Sequence, residues 1–342
     1  MSKNYYIIPI FVPQEGCPHK CVFCNQDKIT GLEDIVDEKT VRNTIEDHLK
    51  TINNEYATIE VSFFGGTFTG IEEEKQRAFL KIAKEYKDKG MIDNIRLSTR
   101  PDYINDYILA YLKEYSVDII ELGVQSLDND ILKSAGRGHD VEDVIRASAL
   151  IKEYGFILGH QIMPGLPNDT FEKDLETTKL SIQMQPHICR IYPALVIKDT
   201  PMEAMYKSGK YKPYTVQEAV SISKTMYDMY KEAGINIIRI GLQPTESIAE
   251  GKDVVGGPFH PAFRELVEGS LLVDKVLSKM GEYNVGILDI NPRDCSKIYA
   301  NKKMYFKKFK ESNKIITVKQ NNRIDRGNAK LTIKGNEFNI IF

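Results

Sequence analysis

Long apolar runs are missing from this 342-residue chain. The longest near the N-terminus, "YYIIPIFV" from Tyr5 to Val12, falls far short of the ~20 residues that cross a bilayer and lacks a cleavage-like small-residue motif. No membrane span or secretory leader is expected, and the protein reads as cytoplasmic. Cysteine is scarce and odd in number, five in all, which argues against a disulfide framework and for metal or redox chemistry in a reducing compartment. Tryptophan is absent, and the 18 tyrosines discriminate nothing. There is no internal repeat and no low-complexity tract. With 42% hydrophobic and 27% charged residues, no long segment reads as disordered. The length suits one α/β barrel with an appendage.

Net charge is small, at -2, but unevenly spread. Residues 301–342 hold eleven Lys or Arg against three Asp or Glu, so the tail carries +8 and the rest -10. A basic end of this kind tracks phosphates or simply keeps a small β unit in solution, and charge alone leaves both open.

Short β-branched runs alternate with helical patterns. Six strands are predicted, at Tyr5 to Val12, Thr58 to Phe64, Ile95 to Thr99, Ile119 to Val124, Phe156 to Ile162 and Ile188 to Tyr192. Between them, segments such as "DEKTVRNTIEDHLKTI" and "VEDVIRASALIKEY" place apolar residues three and four apart. Six βα units in series predict a parallel sheet curved into a partial or full barrel, with the site where the C-terminal strand ends meet the loops. That rim carries the cysteine loop, then "GGTF", "STRPD", "GVQS", "HQIMPGLP" and "RIYP". Past residue 200 the pattern changes to helices at Thr215 to Ala233 and Ala262 to Met280, a strand "INIIRIGL", and a β-like tail in "KIITVKQ" and "AKLTIKGNEFNIIF".

The loop "GCPHKCVFCNQ" packs Cys17, Cys21 and Cys24 into eight residues. A structural zinc site is normally closed by four ligands, and no second CxxC exists here. His19, His187 or Cys189 would have to complete one. Three thiols at this spacing also suit three irons of a cubane whose fourth iron stays open to a small molecule.

CxxxCxxC in the loop after the first strand of a βα chain resembles the signature of the radical S-adenosylmethionine (SAM) superfamily. The resemblance implies a partial (βα)6 TIM-like barrel with a C-terminal α+β extension. It implies a 4Fe-4S cluster on Cys17, Cys21 and Cys24, with SAM completing the open iron. In that family the reduced cluster passes an electron to SAM, giving a 5′-deoxyadenosyl radical that abstracts a substrate hydrogen. Phe23 stands where members place an aromatic against the adenine, although core packing would also explain it. Gly65, Gly66 and Thr67 resemble the glycine motif that binds the SAM amino group. Gln125 and Arg137 resemble the ribose and carboxylate contacts of the oxygen-independent coproporphyrinogen oxidase branch; a surface charge at a helix end is the plainer reading of Arg137. Ser98 and Gln161 occupy places where that branch tends to carry acidic residues and join the implied SAM-binding set. A reducing donor such as flavodoxin or ferredoxin is implied as a partner.

"FFGGTF", "STRPDYI", "ELGVQS", "GRGHDV", "GHQIMPGLP" and "RIYPALVIKDTPMEAMYKSGKYKPY" together resemble the radical SAM domain of the Elongator catalytic subunit, over roughly residues 55 to 215. No stretch resembles the acetyltransferase domain of that subunit. The resemblance implies tRNA modification, with Tyr192, Arg190 and Lys198 as catalytic candidates and Lys207 and Lys210 near the substrate side. Residues 1–200 are expected to form the core, 201–300 a barrel-closing extension and 301–342 a basic β-rich tail reaching RNA. A small-metabolite enzyme of the coproporphyrinogen oxidase kind, and a zinc-stabilised RNA-binding protein, are the alternatives. His160, His187 and Arg239 are further candidates at strand ends, and Cys189 and Cys295 read as buried small hydrophobes.

Overall fold

The computed structural model describes residues 4–12, 16–17, 20–25, 36–54, 56–244, 248–249 and 251–342. Six strands follow the chain as predicted: β1 Tyr5–Val12, β2 Thr58–Gly65, β3 Asn94–Thr99, β4 Ile119–Gln125, β5 Ile157–Ile162 and β6 Ile188–Ile191. After a two-residue strand β7 (Val196–Ile197), β8 (Asn236–Ile240) adds a seventh to the same sheet, whose order is β1-β2-β3-β4-β5-β6-β8. All pairs in it are parallel, and β1 does not pair with β8, so the sheet is an open half-barrel. The partial α/β barrel expected from the sequence is thus present, one strand wider because the segment past residue 200 supplies its last strand.

Among the helices are α1 (Glu38–Thr51), α2 (Glu73–Asp88), α3 (Asp106–Glu114), α4 (Asn129–Ser134), α5 (Val141–Glu153), α6 (Phe171–Gln183), α7 (Pro201–Lys207) and α8 (Val216–Glu232). They cover the convex face, except the short α4 and α7, which pack on the cysteine loop at the rim. Capping boxes at Asp140/Asp143 and Thr215/Glu218 satisfy the first free N–H groups of α5 and α8 and so mark where each begins. Alternate strand residues point outward into this helical layer: Ile8, Val61, Phe63, Ile95, Leu97, Ile120, Leu122, Leu158 and Ile191 are all buried in one core. Phe63 stacks on Phe79 of α2 at 6.3 Å. The intervening residues face the concave side, and many are polar, which a parallel sheet buried on both faces does not by itself require.

The rest of the chain builds a smaller α/β layer. α9 (Phe263–Met280) packs on α8 and is followed by a four-stranded sheet ordered β11-β10-β12-β13. Its strands are β10 (Val285–Ile290), β11 (Ile315–Gln320), β12 (Asn328–Ile333) and β13 (Asn336–Ile341), and the short β9 (Val254–Gly256) pairs instead with β7. The β12–β13 hairpin turns on Lys334 and Gly335, both at positive φ, as a two-residue loop requires. Four elements here are absent from the sequence reading: β9, β10, the single turn α10 (Cys295–Ile298) and α11 (Ala300–Glu311). α11 escapes because Asn301, Lys302 and Lys303 hold left-handed φ and because only Tyr305 and Phe309 in it are fully buried. Among the described residues no helix is long and apolar enough to cross a membrane.

Candidate functional site

A cavity of about 490 Å³ opens at the C-terminal rim of the half-barrel. Its wall includes Cys17, Cys21, Phe23 and Cys24 from the loop after β1, Gly65, Gly66 and Thr67 after β2, Ser98, Thr99 and Arg100 after β3, Gly123 and Gln125 in β4, Arg137, Gln161, and Tyr192. The sequence-predicted cluster and SAM residues therefore meet in one place, although they come from five different strand ends.

The cysteine loop is fixed by backbone bonds on two sides. Val22 N donates to Ala135 O at 3.0 Å, and Met202 N donates to Val22 O at 2.8 Å. Gly16, at φ 72°, opens the loop against the glycine motif, where a Cβ would lie 2.3 Å from Thr67 O. Cys17 Sγ lies 3.2 Å from Thr67 Oγ1, and Arg137 Nη1 donates to Cys21 Sγ at 3.3 Å. Among the described residues no three His, Cys, Asp or Glu side chains converge closely enough to hold a single metal ion. The three thiols line one cavity. His19 lies outside the described residues. Cys189 and His187 do not line the cavity: Cys189 is fully buried on the convex side, and His187 Nδ1 accepts from Leu158 N at 3.0 Å.

Three observations fit this cavity to a cluster and an adenosyl amino acid. The Gln125 Oε1 and Arg137 Nε atoms are buried with no partner, an arrangement that costs free energy until a ligand supplies one. Gln125 also holds φ at 68°, next to a register shift in β4 that turns its side chain toward the cavity. Gly123 makes the room: a Cβ there would meet Gln125 Nε2 at 3.0 Å and Arg137 Nη2 at 3.2 Å. Gly65 has a packing reason beside the one the sequence suggested. At φ 110° its missing Cβ avoids Val12 O, 2.7 Å away, so it packs β2 on β1 as well as lining the cavity with Gly66. Phe23 lines the cavity and packs with Ile131, Leu166 and Met202.

Below the cavity runs a chain of buried charges that the sequence reading missed. Glu60, Arg96, Glu121 and Arg190, on β2, β3, β4 and β6, all face the concave side. Arg96 Nη2 donates to Glu60 Oε2 at 2.8 Å and Nη1 to Glu121. Arg190 grips both Glu121 oxygens, at 2.7 and 3.0 Å. Burial acts to raise the Glu121 carboxyl, but the guanidiniums of Arg190 and Arg96 and the Gln161 amide outweigh it and hold the pKa at about 2. Ser98 and Gln161 belong to this chain as well as to the cavity wall: Gln161 Nε2 donates to Glu121 Oε2 at 3.0 Å and Ser98 Oγ at 3.3 Å. A single charged residue inside each of these four strands was the signal for it.

The catalytic candidates separate. Tyr192 lines the cavity and accepts from Arg190 Nη1 at 3.2 Å, while burial raises its phenol. Arg190 sits behind it on Glu121. Lys198 is exposed and does not line the cavity; its carbonyl accepts from Asn25 Nδ2 at 3.3 Å, which ties the β7 segment to the cysteine loop. Lys207 pairs with Glu203 on its own helix, and Lys210 is exposed. His160 is a core histidine, within 2.8 Å of Ser181 Oγ and 3.0 Å of Ser148 Oγ, and burial and then Lys152 depress its pKa to about 3. Burial pushes the Cys189 thiol up to about 12, and Cys295 lies in the C-terminal layer. Arg100, which the sequence reading passed over, lines the cavity while Asp102 holds its other edge at 2.9 and 2.8 Å.

Family models match most of the chain: that of the Radical SAM superfamily over residues 11–180 and that of the Radical_SAM C-terminal domain over 186–272. A tRNA uridine(34) acetyltransferase of Methanocaldococcus infernus is 29% identical over 255 residues, spanning 63% of this chain and 48% of that protein. An uncharacterised protein of Methanocaldococcus jannaschii is 30% identical over 235 residues, 65% of this chain and 70% of its own length. Among solved structures, the archaeal Methanocaldococcus infernus Elp3 with an N-terminal deletion superposes with a TM-score of 0.64 at 25% identity, covering 82% of this chain and 64% of that one. The chain spans about half the length of the acetyltransferase relatives it matches.

Proposed function

Since the chain belongs to the radical SAM superfamily, we propose that it is an enzyme that holds a 4Fe-4S cluster on Cys17, Cys21 and Cys24, cleaves SAM reductively and modifies a base of transfer RNA. The observation that carries this is the convergence of three thiols, the glycine motif and two orphaned polar groups, Gln125 Oε1 and Arg137 Nε, on one cavity at the barrel mouth. Cys17, Cys21 and Cys24 would hold the cluster, which would supply the electron for reductive cleavage of SAM.

The chain's own residues bind, orient and exclude water. Gly66 and Thr67 offer backbone groups and a hydroxyl to the SAM amino group, and Gln125 offers its free carbonyl oxygen to a ribose hydroxyl. Arg137, already committed to Cys21 Sγ and Gly123 O, has Nε left for a carboxylate. Phe23 gives an apolar face for adenine. Tyr192, whose oxygen accepts from Arg190, keeps its O–H to donate toward the substrate. Ser98 and Gln161 hold the cavity floor through Glu121.

Transfer RNA as substrate rests on the names of the tRNA-acting relatives and on the +8 charge of residues 301–342. The tail meets the nucleic acid, residues 1–200 carry the chemistry, and residues 201–300 complete the barrel wall. A low-potential donor such as flavodoxin or ferredoxin supplies the electron, which suits a cytoplasmic enzyme.

The test is anaerobic reconstitution with iron and sulfide, followed by SAM and dithionite and measurement of 5′-deoxyadenosine against Cys24→Ala. Production by the wild type alone is expected. A protein that holds its cluster, is given tRNA and still makes none is not this enzyme.

A further inference from the structure

β8 contains one residue too many for its partner. Cys189 pairs with Ile237, Arg190 with Arg239 and Ile191 with Ile240, so Ile238 is the extra residue of a β-bulge. A bulge changes which face the following side chains take, because side chains alternate along a strand. Here it keeps Ile237 and Ile240 on the buried convex side while placing Arg239 on the concave side, beside Arg190. The bulge is held in place. Arg264 Nη1 donates to Ile237 O at 3.2 Å and Ile238 O at 3.3 Å, and its Nε donates to Glu268 at 2.8 Å.

Among the described residues the charge this delivers has no counterpart. Arg96 and Arg190 each pair with a carboxylate in the barrel, and Arg264 pairs outside it. Arg239 makes one hydrogen bond, from Nε to Gly241 O at 3.3 Å, and no ion pair with any described residue. Gly241 lies two residues nearer the barrel mouth, so the side chain leans up toward the level of Tyr192. Burial lowers its pKa, and the Arg190 and Arg264 charges add to that while Tyr192 opposes it. Among the described residues the concave row of Glu60, Arg96, Glu121, Arg190 and Arg239 thus ends, at the edge strand of the sheet, in an excess positive charge whose two Nη groups make no hydrogen bond.

We infer that Arg239, turned inward by the Ile238 bulge, is an oxyanion-binding residue for the substrate, and that it takes a phosphate or carboxylate group presented at the β8 side of the barrel beneath Tyr192. A planar fork with unused donors in a partly desolvated wall suits either anion in bidentate geometry. This deepens the proposed function by giving the chemistry of a group the substrate must carry, and it rests on that reading only in calling the ligand a substrate.

The test is isothermal titration of the full chain with inorganic phosphate and, separately, sodium acetate at constant ionic strength. One site is expected whose affinity falls about tenfold or more, ~1.4 kcal/mol, in Arg239→Gln. Arg239→Lys, which keeps the charge and loses the fork, should show a smaller loss and serves if the glutamine variant does not fold. The anion that binds more tightly identifies the substrate group. Unchanged affinity in both variants, or no binding of either anion to the wild type at millimolar concentration, overturns the assignment. A chain that makes no 5′-deoxyadenosine yet binds anion through Arg239 would defeat the proposed chemistry and leave this subsite standing.

Discussion

Single residues in the barrel do two kinds of work, and Glu121 shows the cost of the second. It is buried between Arg96 and Arg190, and removing one member of a buried ion pair costs roughly 3–5 kcal/mol because the partners are left uncompensated. Glu121→Gln is therefore expected to lower the unfolding free energy by about that amount in urea titrations. Its carboxyl is depressed to about 2 from an ordinary 4.5. The stability it contributes is complete above the unfolded value and is lost as pH falls from there toward the folded one. Acid titration of stability between those values should be shallower in Glu121→Gln than in the wild type; equal slopes would mean the carboxylate does not ionise as described. The same residue was legible in sequence as a glutamate in "IIELGV", but its partners were not, since they lie on other strands.

At the scale of elements, the loop before α6 and the segment before α8 are joined by acids. Asp174, in α6, accepts from Tyr214 OH at 2.9 Å, and Asp169 accepts from Gly165 N at 3.2 Å. Tyr211 OH donates to Gly165 O at 2.6 Å, and Phe171 meets the Tyr214 ring edge-to-face at 5.1 Å. Burial and then the neighbouring Asp169 carboxylate raise the Asp174 carboxyl far above the usual range. A raised folded-state pKa adds stability that is full below the unfolded value and declines as pH rises through the folded one. Asp174→Asn mimics the protonated acid at every pH. Its thermal midpoint should stay level from pH 6 to 9 while that of the wild type declines, and a parallel decline in both would show that Asp174 is ionised in the native protein. The element boundaries themselves were readable, because "DVEDV" and "TVQE" spell capping boxes. That "KSGKYKPY" clamps "MPGLPND" was not, for the two stretches are some forty residues apart and share no pattern.

For the whole molecule, the C-terminal layer is closely packed within itself and tied to the barrel helices. A Cβ on Gly269 of α9 would lie 2.1 Å from Lys297 O of α10, and Lys231 Nζ of α8 reaches Phe342 O at 2.6 Å. Alanine in place of a helical glycine gains about 1 kcal/mol of propensity, but overpacking a closed interface costs ~1–3 kcal/mol. With backbone on the far side the clash wins, so Gly269→Ala should be less stable by urea unfolding; a more stable variant would show that α9 and α10 can part without loss. The exposed Lys302, Lys303, Lys307 and Lys310 sit on this outer layer. Replacing them with glutamine should flatten the salt dependence of tRNA binding by about 0.7–0.9 in log–log slope for each phosphate that is no longer neutralised. An unchanged slope would remove the tail from the RNA surface. From sequence alone came the alternating strand and helix pattern, the rim position of the motifs and the three-thiol loop, because periodicity, caps and ligand spacing are local properties of the chain. The seventh strand, the Glu60 to Arg190 charge chain, the orphaned Gln125 and Arg137 atoms and the inward turn of Arg239 were decided only by tertiary structure, since each depends on which strands become neighbours and in what register.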